Sequence, residues 1–273
     1  MLNLKENLAL KIAMKWPEYF AFVRHGESEF NKMKKIKAQD PMWKEFMEHF
    51  RKNHRSDFTH ALAKKLLHKY RLPYSDYDTP LSTEGHYEAL HTGGHLKNLL
   101  ELPDVIITSP YLRCLQTLEG LKAGWPKLKN VKCYKEGRVR ERGIGIAIQY
   151  PDWKLFYTFH PEQKKYYESL GATAYFYYSF PQGESNEFVK EQRVLPWFGT
   201  ITREFANKKV LVVSHHLTIL CVRANLERLG PEEFLKLDSE NPPKNCSITL
   251  YRGDPTQGTD GHLILEKYNE TAP

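Results

Sequence analysis

Val23-Arg24-His25-Gly26-Glu27-Ser28-Glu29-Phe30-Asn31 closes a short apolar run, Tyr19–Val23, whose aromatic and β-branched residues predict a buried strand. Ligands of open α/β sheets bind beyond the carboxyl ends of the strands, so Arg24 and His25 emerge where a site forms. The residue types suit phosphoryl chemistry. A neutral imidazole is a nucleophile, and guanidinium groups grip phosphoryl oxygens in forked geometry.

Outward from this stretch, Val105–Thr108, Val131–Tyr134 and Val210–Val213 read as further strands. Helical patterns cover Thr83–Leu100, Tyr111–Ala123 and His216–Leu229, and Ser247–Tyr251 with His262–Glu266 flank a turn-rich segment as a hairpin. The alternation predicts an α/β fold, three layers α/β/α around a mostly parallel central sheet. Two more strand ends carry polar chemistry. After Val105–Thr108, Ser109 reads as a helix N-cap with Pro110 at the first helical position, which puts Arg113 in the first turn, where free N–H groups favour anions. After Val210–Val213 come Ser214-His215-His216, and His215, nearer the strand end, is the candidate rather than His216.

The order of motifs is specific. Arg24-His25-Gly26-Glu27-Ser28 with Asn31, Leu81-Ser82-x-x-Gly85, Ser109-Pro110-x-x-Arg113-x-x-Gln116-Thr117, Glu141-Arg142-x-x-Gly145, Gly183-Glu184-Ser185 and Ser214-His215 together resemble the histidine phosphatase superfamily, which includes cofactor-dependent phosphoglycerate mutases. The resemblance runs from Tyr19 to Tyr251 and implies a phosphoglycerate mutase-like fold in one domain, residues 1–273. It implies that His25 becomes phosphorylated, that Arg24 and Arg113 bind phosphate, that His215 completes the phosphate pocket, and that Asn31 touches the phosphate. Glu141 matches the proton donor to the leaving oxygen, although a salt bridge to Arg138, Arg140 or Arg142 is its alternative role. The reaction implied is hydrolysis of a phosphate monoester through phosphohistidine, with no metal and no cofactor. Mutases of the family resemble one another in a paired-arginine segment that holds the substrate carboxylate; the corresponding Ile146–His160 has no arginine and only Lys154. A phosphatase is therefore expected ahead of a mutase-type phosphotransferase. An inactive module that binds phosphate or a polyanion is the reading from another class.

With 41% hydrophobic and 27% charged residues in 273, the chain is neither fibrous, fully disordered nor integral to a membrane. Its formal charge of +7 is local: Lys32–Arg71 holds twelve basic and four acidic residues, a net +8, and the remainder is near neutral. This stretch, within a basic helical insertion at residues 32–77, is expected to hold two helices, one capped by Asp40 with Pro41 first and a Trp43, Met47, Phe50 stripe, the other carrying Phe58, Leu62, Leu66 and Tyr70. A solvated face is its favoured role, with recruitment of nucleic acid or another polyanion as the alternative. Its histidines His49, His54, His60 and His68 lack ligand spacing and are expected at the surface. Residues 149–180 are crowded with aromatics and read as a lid or small subdomain, more often a core than a wall that stacks a ring. Cys114, Cys133, Cys221 and Cys246 form no C-x-x-C pair, which reads as reduced cysteines of a cytoplasmic protein. Leu4, Leu8, Ile12 and Trp16 suggest an N-terminal amphipathic helix docked on the body, and the expected partner is a small phosphorylated molecule, with no membrane span.

Overall fold

A computed structural model describes residues 14–273. The expected N-terminal helix lies outside the described residues except for Trp16, whose ring packs edge-on against Phe198. Six strands form one sheet: β1 (Tyr19–Arg24), β2 (Val105–Thr108), β3 (Lys132–Lys135), β4 (Lys209–Ser214), β5 (Ile248–Asp254) and β6 (His262–Glu270), in the order β3-β2-β4-β1-β5-β6. The first four run parallel, and β5 and β6 add an antiparallel edge. Both faces of β1 and β4 are covered, which is why they read as unbroken apolar runs.

Between β1 and β2 lie α1 (Glu29–Gln39), α2 (Pro41–Asn53), α3 (Asp57–Tyr70) and α4 (Thr83–Leu99); α5 (Leu112–Gly124) then joins β2 to β3. Three short helices follow, α6 (Trp153–Phe159), α7 (Pro161–Ser169) and α8 (Ala174–Tyr177). A helical run of α9 (Asn186–Phe188), a π turn at Val189–Val194 and α10 (Leu195–Glu204) leads into β4, and α11 (His216–Leu226) and α12 (Pro231–Glu240) follow it. The fold is thus α/β, with Phe20, Phe22, Val210 and Val212 packed on Trp197, Ile219 and Val222 from one side. Tyr19, Ala21, Val23, Leu211 and Val213 pack on Leu96, Leu118 and Trp125 from the other. This is the two-residue side-chain alternation of a strand.

A third core joins the two stretches set apart in the sequence. Met33, Trp43, Phe46, Phe50, Leu62 and Leu66 pack against Leu155, Phe156, Tyr157, Tyr178 and Phe180. Lys37 crosses this core: its Nζ donates to Pro151 O at 2.9 Å and to Asp152 Oδ2 at 2.7 Å, and lies 4.2 Å from the centre of the Trp43 ring. Part of the basic charge therefore acts inside the protein.

Three expectations need correcting. The basic stretch holds three helices rather than two, because α1 turns inward only Met33 and the stem of Lys37 and so shows no apolar stripe. The helix after β2 begins two residues later than Pro110: Tyr111 is its N-cap, and the Ser109 hydroxyl instead accepts from Tyr111 N at 3.3 Å and meets His215. His49, His54 and His60 are half-buried against Phe58, Phe50 and Phe159, and His68 alone of the four is exposed.

Two backbone segments touch at the glycines of the motifs. A Cβ on Gly85 would lie 2.0 Å from Glu27 O, and one on Gly26 would lie 2.5 Å from Gly85 O. Backbone cannot yield there as a flexible side chain would. Gly85→Ala is expected to cost about 1–3 kcal/mol and to lower kcat by displacing the loop that carries His25. Gly94, in the same helix with nothing within 4 Å of its Cβ position, is the control: Gly94→Ala should leave stability unchanged or raise it by up to ~1 kcal/mol in urea unfolding. Equal losses in both variants would contradict the contact.

Candidate active site

The β1, β4 and β2 strands end together. Arg24 pairs with Ser214, and Thr108 with Val213, so Arg24-His25, Ser214-His215 and Ser109 leave the sheet at one edge. His25 is 4% exposed and His215 fully buried, with ring centres 5.1 Å apart. His25 Nδ1 lies 2.8 Å from Gly26 O; a carbonyl only accepts, so Nδ1 carries the proton and Nε2 keeps its lone pair. Burial, then the charges of Arg113 and Arg24, hold the His25 pKa well below the ordinary value. The ring is neutral at pH 7, as a nitrogen nucleophile requires. His215 is depressed likewise, by burial, Arg113 and His25, and its Nε2 lies 2.8 Å from Ser109 Oγ.

Arg24 donates through Nη1 to Pro243 O at 2.6 Å, while its Nε is buried without a partner. Arg113 is 5% exposed and donates to Asp76 O at 2.6 Å and Asp76 Oδ1 at 3.0 Å. Asn31 Oδ1 accepts from Ser28 N, closing the capping box of α1, and the residue lines the same cavity as Arg24, His25, Arg113 and Glu141. Glu141 is in no ion pair among the described residues: Arg138 is taken by Glu136 and Arg140 by Glu184. Its Oε1 accepts only from Arg142 N, at 3.0 Å. Its carboxylate faces a cavity of about 810 Å³. His216 lines the cavity and pairs with Asp238 at 2.6 Å, whereas His215 lies deeper, beside His25.

Most of the remaining motif residues brace loops. Gly26 N donates to Thr117 Oγ1 at 3.0 Å, Leu81 N to Gln116 Oε1 at 2.8 Å, and Ser82 Oγ to Glu27 Oε1 at 2.7 Å. Glu184 holds the loop of Glu141 by accepting from Gly143 N at 2.8 Å, Arg140 at 2.6 Å and Arg193 at 2.9 Å. Arg193, in the π turn, also donates to Arg140 O at 2.6 Å and Glu141 O at 3.2 Å. Arg193, Asp76 and Asn245, whose Nδ2 donates to His25 O at 3.0 Å, carry no signal in the sequence, since each is brought in by tertiary contact alone. Cationic and donor groups converging on a buried imidazole beside a carboxyl group without an ion-pair partner are an arrangement that can receive a tetrahedral oxyanion.

Comparison with known proteins decides the family. The model of the histidine phosphatase superfamily (branch 1) matches residues 65–263. The chain belongs to this superfamily. The matched span begins inside α3, so α1, α2 and the first half of α3 separate Arg24 and His25 from it in sequence, while β1 at the centre of the sheet returns them to the same site. Solved structures similar to this superfamily member include mycobacterial glucosyl-3-phosphoglycerate phosphatase with VO3, 16% identical over 93% of this chain and 100% of that one, TM-score 0.60. Phosphoserine phosphatase from Entamoeba histolytica with 3-phosphoglyceric acid is 17% identical over 93% and 97%, TM-score 0.58. Bacillus stearothermophilus YhfR is 21% identical over 91% and 96%, TM-score 0.58. At such identities the likeness is one of fold. No curated protein matches the chain.

The depressed histidines set a pH dependence. The unfolded chain protonates them near 6.5 and the folded one well below, so the unfolded state binds more protons and stability falls as pH drops below 6.5. Each contributes a slope of up to ~1.4 kcal/mol per pH unit between its two values. Urea unfolding from pH 7.5 to 5 is expected to show this loss, with a shallower slope in His215→Gln. Unchanged slope in the variant would contradict a neutral buried His215.

Proposed function

We propose that this histidine phosphatase superfamily member is a phosphatase that hydrolyses a phosphate monoester through a phosphohistidine on His25. The observation that carries the proposal is the buried His25, whose Nδ1 lies 2.8 Å from Gly26 O so that Nε2 keeps its lone pair, in a cavity it shares with Arg24 and Arg113. In the first half-reaction Nε2 attacks phosphorus as the ester P–O bond breaks, and Glu141 gives a proton to the leaving alkoxide. In the second, water attacks phosphorus as the N–P bond breaks, Glu141 takes a proton from the water, and Nε2 of His25 recovers the electron pair of the broken bond. Arg24, Arg113 and Asn31 bind the phosphoryl oxygens, and His215 completes the pocket. These groups carry the electrostatic load that metal ions carry at other phosphoryl-transfer sites, so the proposal includes metal independence. The substrate is a small phosphorylated molecule.

Two features favour hydrolysis over mutase-type transfer. Lys154, the single basic residue of Ile146–His160, is engaged with Asp152 at 3.8 Å and with the Trp153 ring at 3.9 Å. The similar structures named above include two phosphatases. Among the described residues no helix is long and apolar enough to cross a membrane, in keeping with the cytoplasmic location proposed here.

Steady-state hydrolysis of para-nitrophenyl phosphate tests the proposal. His25→Ala is expected to lower kcat by ~10³-fold or more, and Glu141→Gln by about 10²–10⁴-fold, with EDTA leaving the wild-type rate unchanged. Absence of turnover on any phosphate ester would favour an inactive binding module. Interconversion of 3- and 2-phosphoglycerate outpacing phosphate release would favour the mutase.

A further inference from the structure

Four arginines lie on or against the loop of Glu141, and three have partners. Arg138 pairs with Glu136 at 2.6 Å, Arg140 with Glu184 at 2.6 Å, and Arg193 with Glu184 at 2.9 Å. Arg142 differs. It is 7% exposed, yet among the described residues its side chain has no ion-pair or hydrogen-bond partner, and its Nε is buried unpaired. A buried charge is costly unless paired and hydrogen-bonded, so such a guanidinium points to a partner brought by a ligand. Its one neighbour of note is the ring of Tyr175, 5.0 Å from Cζ. That phenol is no counter-charge, since burial pushes its pKa up to about 12.

Arg142 lines the cavity next to Glu141. Around it the wall is aromatic: Tyr150, Trp153, Tyr157, Tyr167, Tyr175 and Phe180 all face the 810 Å³ space, which is of the size that takes a ligand of many heavy atoms. A guanidinium packed against an aromatic ring offers in-plane donors in the fork that matches a carboxylate or phosphoryl group.

We infer that the leaving group of the substrate carries a second anionic group, bound by Arg142, on a flat or apolar body that packs against the aromatic wall. This rests on the phosphatase reading for the place of the reacting phosphoryl group, beside His25. Arg142 is here a specificity residue. It binds the part of the substrate that departs, not the group that is transferred. The aromatic stretch then serves twice, as core on one side through Leu155 and Phe156 and as substrate wall on the other.

Calorimetry with three unhydrolysable probes tests this without any turnover: benzylphosphonate, 4-carboxybenzylphosphonate and 4-phosphonobenzylphosphonate. At least one doubly anionic probe should bind wild-type protein about 10- to 100-fold more tightly than the neutral-tailed one. Whichever is tighter identifies the second group as carboxylate or phosphoryl. In Arg142→Gln the advantage should fall to about twofold or less, and Arg142→Lys should keep part of it. Equal affinity of wild type for all three probes would overturn the inference, as would an undiminished advantage in Arg142→Gln. A retained, Arg142-dependent advantage in a protein that hydrolyses no ester would support Arg142 as the site of a ligand's second anionic group and remove the phosphatase reading, and with it the leaving-group role.

Discussion

Parallel pairing of β1 between β4 and its antiparallel neighbour β5 puts Arg24 opposite Ser214, and the pairing of β2 with β4 puts Thr108 opposite Val213. In this register His25, His215 and Ser109 leave the sheet within one residue of each other. A slip by one residue would send each side chain to the other face of the sheet. Everything else at the site is built on this alignment: α4 presses Gly85 against Glu27, Thr117 holds Gly26, and the loop of Glu141 is tied by Glu184 and Arg193. Burial of the two rings and the close approach of the cations follow too, and burial first, the cations second, keep both imidazoles neutral.

Charge acts at three depths. At the base of the cavity Arg24 and Arg113 flank His25. Higher up, Lys37 crosses a core to reach Asp152 and joins the helical insertion to the aromatic segment. On the outer helices Lys35 meets Glu27 and Lys69 meets Asp40. A basic stretch conspicuous in sequence is thus partly consumed by internal pairing. The cavity is walled in part by the third core, which packs α1–α3 against α6 and the segment that carries Tyr178 and Phe180.

The strands were legible because β1, β2 and β4 are covered on both faces and show as apolar runs bounded by polar residues. Arg24, His25, Arg113 and His215 were legible because each follows a strand or opens a helix and lies within a motif, whereas Asn31 and Glu141 were legible through the resemblance of their motifs alone. Other features were not. Helix α1 buries a lysine stem and one methionine, so nothing periodic marks it. The cap of α5 shifted to Tyr111 because the Ser109 hydroxyl turns to His215, a contact 106 residues away in sequence. Glu184 stood in a quoted motif without a role, since its role lies in three partners from two other segments. Arg142 sat in plain view beside Glu141, and only the placement of every nearby carboxylate reveals that it has none.

Covalent participation of His25 is open to direct trapping. Rapid quenching of the protein with a phosphate ester labelled at phosphorus should trap label on the chain, stable in alkali and lost in acid as a phosphoramidate is, and mapped by peptide analysis to His25. His25→Asn should trap none. Turnover by wild type with no label on His25 under single-turnover conditions, or undiminished turnover in His25→Asn, would contradict it.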